Sequence, residues 1–289
     1  MIWELIFSPF VEFGFMRRAL LGSIAISLGA TPIGVFLMLR HMSLTGDAMA
    51  HAILPGAAIG YLVSGLSLGA MTIGGLIAGM VVALASGFVA RVTALKEDTS
   101  LAAFYLISLA IGVLIVSTRG SNVDLMHVLF GSILALDDAA LILLCSFASL
   151  SILTLALLFR PLVLECADPQ FLRTVSGLSA VTHFIFLGLV VTNLVAGFHA
   201  LGTLMSVGIM ILPAATARFW ANGIGGLIRL SSILAIISCF LGLLISYHFN
   251  LPSGPAIILI AGIIYMVSLV FVSVRRFFNQ ALSRHFSNL

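Results

Sequence analysis

The sequence predicts an all-α, polytopic integral membrane protein, and three observations support that fold class. Of the 289 residues, 61% are hydrophobic and only 8% are charged, whereas soluble domains are roughly 45–50% apolar and about 25% charged. The mean hydropathy is +1.25. Apolar runs of about 20 residues, the length that a helix needs to cross a bilayer, fill most of the chain. No polar connection could hold a soluble domain, so residues 1–289 are expected to form a single membrane domain.

The transmembrane helices can be placed from these apolar runs. A helix pairs its own backbone groups, each of which would cost several kcal/mol if it were left unpaired in lipid. The predicted spans are 19–39, 48–65, 68–90, 101–117, 139–159, 178–197, 201–217, 227–247 and 256–274. Because the segment 201–217 is short and contains Pro213, it is alternatively a broken or re-entrant helix. We therefore expect about eight or nine crossings.

The first residues, 1–16, do not resemble a cleaved leader. They lack the basic region and the small-residue cleavage site of a signal peptide. Acidic and aromatic side chains, among them Trp3, Glu4 and Phe15, are mixed along this segment. We expect it to form a helix that lies at the membrane interface.

Basic residues are scattered singly between the apolar runs, and their distribution indicates topology. A formal charge of +3 alone could suit nucleic acid, but nucleic-acid binding needs a clustered basic patch, so we expect no such partner. Basic residues instead occupy alternate connections, which the positive-inside rule assigns to the cytoplasm together with the C-terminus. They are Arg40, Arg91, Lys96, Arg160, Arg173, Arg218, Arg275 and Arg276, with Arg17, Arg18 and Arg119 as exceptions.

Asp47 and His51 are the clearest candidates for a functional site. A charge near the bilayer centre costs about 2.5–3.5 kcal/mol on insertion scales, so an acidic residue just inside an apolar run is a functional candidate. Asp47 lies in the segment GDAMAHAILPG, and His51 follows it by four residues, a spacing that places both on one helix face. Imidazole suits zinc and carboxylate oxygen suits manganese, so the pair predicts a weak transit site for a metal ion.

The same residues also allow a structural interpretation. Asp47 could cap the helix N-terminus, and His51 could form a hydrogen bond within the bundle. Pro55, in the same span, removes an intrahelical hydrogen bond and is expected to kink or locally open the helix, as in the discontinuous helices of transport pathways. His199, at the expected outer edge of its span, is a further candidate ligand.

Several segments resemble the permease subunits of bacterial zinc and manganese ABC importers. The longest is LRHMSLTGDAMAHAILPG at 39–56. Others follow in the order found in that family, namely KEDT at 96–99, LFGSIL at 129–134, LPAATA at 212–217 and LPSG at 251–254. The resemblance covers nearly the whole chain.

The resemblance implies partners and a location. Permeases of this family form homodimers or pairs of similar subunits in the lipid of the bacterial inner membrane. They work with a cytoplasmic ABC ATPase, which binds the ATP, and with an extracytoplasmic metal-binding protein. No cofactor is bound permanently, and zinc, manganese or iron is the transported ion.

The resemblance also implies roles for particular residues. Asp47 and His51 match the family motif that lines the metal path. The connection 160–177 matches the cytoplasmic coupling loop, in which Asp168, Phe171 and Arg173 would contact the ATPase, although ordinary loop packing would give a similar composition. In the family a glycine follows the acidic residue by eight positions, whereas Gly177 follows Asp168 by nine.

Two other classes of function can be weighed against a metal importer. A secondary transporter driven by an ion gradient could use Asp47 to carry a proton. An enzyme is not expected, because the chain contains no HExxH motif, no clustered pair of intramembrane acids and no GxxxxGK[ST] loop for ATP. Its single lysine, Lys96, is followed by Glu97.

Overall fold

The computed structural model describes residues 2–65, 67–93, 97–119, 133–168 and 178–287. These residues form nine α-helices and one short 3-10 helix, Ile133–Ala135. The α-helices are α1 (Ile2–Glu12), α2 (Gly14–Leu39), α3 (Thr45–Ser64), α4 (Leu68–Val92), α5 (Glu97–Arg119), α6 (Asp138–Ala167), α7 (Leu178–Ala217), α8 (Ile224–Phe249) and α9 (Ser253–Ser287). No strand occurs in the part of the chain that the structure describes, and the all-α prediction is confirmed.

Each predicted span coincides with a helix. By length and composition, seven helical segments of the described chain could cross a membrane: Gly14–Leu39, Leu68–Val92, Glu97–Ile115, Asp138–Ala167, Ser179–Phe198, Ile224–Phe249 and Ser253–Arg275. The other two predicted spans are α3 and the short helix Leu201–Ala217. α3 is not among the seven because Asp47 and His51 lower its hydropathy.

α2 and the first half of α7 form the centre of the bundle. In the most apolar stretch of each helix, 72% of the residues of α2 and 78% of those of the first half of α7 are buried, whereas the share is 17% in α5 and in α9. Phe36 on α2 and Phe186 on α7 are fully buried and meet edge to face, with ring centroids 6.4 Å apart. The remaining helices surround this pair, so the outer helices present their apolar side chains to lipid.

Small residues set the distance between α3 and α4. A Cβ added at Gly56 would collide with the carbonyl oxygen of Gly74, and one added at Gly60 would collide with the carbonyl oxygen of Ala70. Glycine is required at both positions because the backbones touch.

α7 is interrupted at Gly202, whose backbone angles (φ 79°, ψ 165°) belong to a region that only glycine occupies readily. After this kink, the segment Leu201–Ala217 packs back against α2 and the start of α3. A Cβ added at Gly34 or Gly46 would collide with Met210. The short span containing Pro213 is therefore a helix of its own that joins the first part of α7 at the Gly202 kink, and α7 is not interrupted at Pro213.

Two predicted boundaries differ from the structure. α6 continues past Arg160 to Ala167, so the first part of the connection predicted over 160–177 is helical. Tertiary contacts extend it, because Leu162 is fully buried and Glu165 is 6% exposed. At the N-terminus, the helix predicted over 1–16 ends at Glu12, and α2 begins at Gly14.

The basic residues at the ends of α2 and α4 lie at one end of the bundle. Arg91 Nη2 donates a hydrogen bond to the carbonyl oxygen of Ser179 (3.4 Å), and Arg40 Nη2 lies 3.4 Å from Oε1 of Glu165. These contacts bring together the C-terminal ends of α2, α4 and α6 and the N-terminal end of α7. The alternation of connections inferred from the charge pattern agrees with this arrangement.

Candidate functional site

Asp47 and His51 project from the first turns of α3. The helix begins at Thr45, after the short turn that follows α2. Glycine at position 46 lets α3 lie against Met210. His51 Nε2 lies 3.9 Å from Oδ1 of Asp47. The spacing of four residues therefore brings the imidazole and the carboxylate to one face, as predicted.

α5 packs beside the pair. The ring of His51 stacks beside that of Tyr105, with centroids 6.3 Å apart. Tyr105 lies near the middle of the apolar segment Glu97–Ile115 of α5. Ser108, one turn further along α5, donates a hydrogen bond to the carbonyl oxygen of Ala52 (3.1 Å). α5 thus fixes the position of α3 beside the pair.

Both side chains face an open surface of the single chain. Asp47 is 67% exposed and His51 is 35% exposed. Within the described residues, no group of three or more histidine, cysteine, aspartate or glutamate side chains is placed to hold a metal ion. The described residues thus place two candidate ligands side by side here, an arrangement that would suit passage of an ion better than tight binding.

The capping interpretation of Asp47 is not supported. The N-cap position of α3 is Leu44, and Asp47 lies within the first turn, where a carboxylate interacts favourably with the helix dipole. The expected opening at Pro55 does not occur either, since α3 runs continuously from Thr45 to Ser64. Pro55 packs against Gly112 of α5, and it leaves the carbonyl oxygen of His51 without an intrahelical N–H donor.

The other predicted site residues are described only in part. Asp168 is exposed and forms the C-cap of α6, where its backbone N–H donates to the carbonyl oxygen of Leu164 (2.9 Å). Phe171 and Arg173 lie outside the described residues. His199 belongs to α7, but its side chain is also outside the described part.

A polar cluster that the sequence did not predict lies at the end of the bundle near Asp168. Arg40 Nη2 is 2.6 Å from Nδ1 of His183 and 3.4 Å from Oε1 of Glu165. His183 Nε2 is 2.9 Å from Oε1 of Glu97. The four residues come from α2, α7, α6 and α5. These four residues are so far apart in the chain that sequence spacing could not show that they meet. The sequence marks them only as polar residues at or near the ends of apolar spans.

With this geometry established, comparison with known proteins identifies the family. The family model for the ABC 3 transport family matches residues 12–272. The chain belongs to the ABC 3 transport family. It is accordingly a multi-pass protein of the bacterial cell (inner) membrane, as the sequence predicted.

Relatives of this ABC 3 family chain are permeases of metal transport systems. It is 32% identical over 274 residues to the manganese import system permease protein ScaB of Streptococcus parasanguinis, covering 95% of this chain and 96% of that protein. It is 28% identical over 271 residues to the chelated iron transport system membrane protein YfeD of Yersinia pestis, covering 94% of this chain and 90% of that protein. The resemblance to metal ABC permeases is confirmed.

A solved structure of PsaBC from Streptococcus pneumoniae in complex with Fab has the same fold as this ABC 3 family chain. The TM-score is 0.80 at 31% sequence identity, and the match covers 93% of this chain and 95% of that chain.

Proposed function

We propose that this chain is the transmembrane permease subunit of an ABC-type importer that moves a divalent metal ion into the bacterial cytoplasm. The observation that supports this best is the Asp47 and His51 pair, exposed on α3 beside the middle of α5. A charged side chain in a membrane span costs about 2.5–3.5 kcal/mol near the bilayer centre, so a carboxylate in such a span is a functional candidate. Family membership favours an importer over a secondary transporter driven by an ion gradient.

Manganese is the transported ion that we favour. Carboxylate and imidazole accept manganese, ferrous iron and zinc, so the two side chains alone do not choose among them. Relatives named for manganese import or chelated iron transport support manganese first, iron second and zinc third.

We infer that two copies of this permease form the transport path. One copy supplies two side-chain ligands, whereas a manganese ion usually takes about six oxygen or nitrogen ligands. A second copy facing α3 would double the number of ligands and would also remove the exposed carboxylate from lipid. His199 remains a further candidate ligand on this path.

Two partner proteins complete the proposed importer. A cytoplasmic ABC ATPase would bind at the connection 160–177, with Asp168, Phe171 and Arg173 as coupling residues. An extracytoplasmic metal-binding protein would deliver the ion at the opposite end of the bundle. The permease itself would perform no covalent chemistry, since its sequence contains no phosphate-binding loop.

The proposal is tested by metal uptake in cells that lack their own manganese, iron and zinc importers. The permease is expressed with its cognate ATPase and binding protein, as wild type, Asp47→Asn or His51→Gln. We expect both variants to reduce uptake by about 10- to 100-fold, as loss of a metal-site group typically does.

Asp138→Asn is a matched control for Asp47→Asn. Asp138 also lies in the first turn of a helix, and it is 79% exposed, but its partner is the exposed Arg18 at 3.2 Å. Such a surface ion pair contributes about 0–1 kcal/mol, so this variant should keep full uptake. Equal uptake by the Asp47, His51 and Asp138 variants would reject the metal path, and no uptake by wild type would reject the importer.

A further inference from the structure

The four polar side chains of Arg40, Glu97, Glu165 and His183 form one connected set of hydrogen bonds and ion-pair contacts, here called the clamp. A guanidinium group only donates hydrogen bonds, so Nδ1 of His183 must accept from Arg40 across 2.6 Å. The ring hydrogen of neutral His183 is then on Nε2, which faces Oε1 of Glu97 at 2.9 Å. His183 therefore connects Arg40 to Glu97, while Arg40 also reaches Glu165 at 3.4 Å.

The clamp is a buried assembly. The side chains of Arg40, Glu165 and His183 are 10%, 6% and 5% exposed, and that of Glu97 is 27% exposed. The guanidinium of Arg40 also lies 5.1 Å from the centre of the Phe186 ring. Removing one partner from a buried ion pair leaves an uncompensated charge, so the positions of these four side chains depend on one another.

The clamp lies between the proposed coupling loop and the metal-site helix. Glu165 precedes the C-cap Asp168 by three residues, and His183 lies in the second turn of α7, so the clamp binds both helices that flank the loop. Arg40 is the C-cap residue of α2, and the next residue, His41, has a left-handed backbone (φ 59°) in the tight turn into α3. Glu97 begins α5, the helix that carries Tyr105 beside His51.

We propose that the clamp is the coupling element that transmits movement of the ATPase-bound loop to α3 and so opens or closes the metal path. Arg40, Glu97, Glu165 and His183 act as positioning residues for Asp47 and His51. This inference rests on the proposed function as a metal importer. A displacement of the ends of α6 and α7 must move Arg40, and Arg40 is held to α3 by a turn of only a few residues.

The hydrogen-bonding capacity of the clamp is not used completely. Among the described residues, Arg40 Nη1, Glu97 Oε1 and Glu165 Oε2 are buried and form no hydrogen bond, and neither do the hydroxyl groups of Ser179 and Thr182 in the first turns of α7. A buried polar network with spare donors and acceptors can exchange partners at low cost, which is what an element with two arrangements needs. Glu165 Oε2, on a side chain that Arg40 already contacts through Oε1, is thus a free acceptor for Arg40 in a second arrangement.

The test is the number of metal ions moved per ATP hydrolysed by the complete importer, with its ATPase and binding protein, in proteoliposomes supplied with manganese. The variants are Arg40→Gln and the double variant Arg40→Gln with Glu165→Gln. The single variant leaves Glu165 unpaired in the interior, whereas the double variant restores neutrality. We expect the ratio to fall about fivefold or more in both, as for loss of a typical coupling interaction.

Ser151→Ala is the matched control. Ser151 accepts a hydrogen bond from Asn193 (2.6 Å), so this buried contact joins the same helices, α6 and α7, at a distance from the loop. The number of metal ions moved per ATP hydrolysed should be the same in Ser151→Ala as in wild type.

Three results would overturn the clamp while leaving the importer intact: an unchanged ratio in Arg40→Gln, a ratio restored to the wild-type value in the double variant, or an equal loss in Ser151→Ala. If Arg40→Gln alone fails to assemble, the double variant decides. If wild type moves no manganese with ATP, the proposed function itself fails, and the clamp is rejected with it.

Discussion

At the scale of single residues, several buried polar side chains in this bundle form hydrogen bonds to nearby carbonyl groups or to one another. Thr31 donates to the carbonyl oxygen of Ser27 (2.6 Å) and lies 2.9 Å from the hydroxyl of Ser232 on α8. Asn193 donates to both Ser151 and the carbonyl oxygen of Leu189. Asp47 differs from these residues, because its carboxylate is open to a surface and lies 3.9 Å from His51.

The contact between Asn193 and Ser151 should stabilise the packing of α6 on α7. Interhelical hydrogen bonds in membrane proteins contribute about 0.6 kcal/mol on average and up to about 1.7 kcal/mol. We expect Ser151→Ala to lower the free energy of unfolding by that amount, measured by denaturation of the purified protein in detergent. Ser149→Ala removes an exposed hydroxyl that bonds only locally to the carbonyl oxygen of Ser146, and it should have no measurable effect.

Residues that act within one helix could be predicted from the sequence, and those that meet across helices could not. Asp47 and His51 were identified because helical periodicity relates positions four apart. Arg40 and His183 are separated by 143 positions. Nothing in their local patterns joins them, so Arg40 was interpreted only as a topology signal.

At the scale of elements, the interface of α3 with α4 depends on the absence of side chains. The carbonyl oxygens of Gly56 and Gly74 each occupy the space where the Cβ of the other residue would lie. The depth and rotation of α3, and hence the direction in which Asp47 points, are set by this contact. A helix pair packed so closely cannot adjust to a larger residue without moving apart.

Gly56→Ala should therefore destabilise the protein. Overpacking of a tight interface typically costs about 1–3 kcal/mol, and here the obstacle is backbone, which cannot rotate away. Thermal unfolding in detergent, together with metal uptake, would measure both the packing and its effect on the site. Gly262→Ala on α9 adds the same methyl group where nothing lies within 4 Å. Equal stability of the two variants would contradict the close approach of α3 and α4.

Element boundaries could be predicted where hydrophobicity sets them. The spans 68–90 and 201–217 agree with α4 (Leu68–Val92) and with Leu201–Ala217 to within two residues. α6 was predicted to end at Phe159, but it continues to Ala167. Burial of Leu162 and the pairing of Glu165 with Arg40 extend it, and neither contact is visible in the local sequence.

At the scale of the whole molecule, the outward face of α3 is the surface that most needs a partner. It carries Asp47 and His51. Leu62, which is 37% exposed, lies further along the same face of α3. Lipid would leave the carboxylate unsolvated, whereas a second copy would present an identical polar pair. The proposed homodimer follows from this surface.

Cysteine cross-linking in native membranes would test the dimer. In a background in which Cys145, Cys166 and Cys239 are replaced, Leu62→Cys should give a covalent dimer on oxidation, because symmetry brings equivalent positions together near the axis. Ile237→Cys on α8 is similarly exposed at 43% and should remain monomeric. Cross-linking from α8 but not from α3 would place the interface elsewhere.

The modest hydropathy of α3 also affects how the protein is made. As α3 leaves the ribosome, its polar first turns weaken its partition into the bilayer, and it falls outside the set of helices that would insert by composition alone. α4 has a mean hydropathy of 2.2 and follows α3 after a short connection. It packs against α3 through glycine contacts. The two helices are therefore expected to enter the membrane as a hairpin, so that the translocon retains α3 only once α4 has been synthesised.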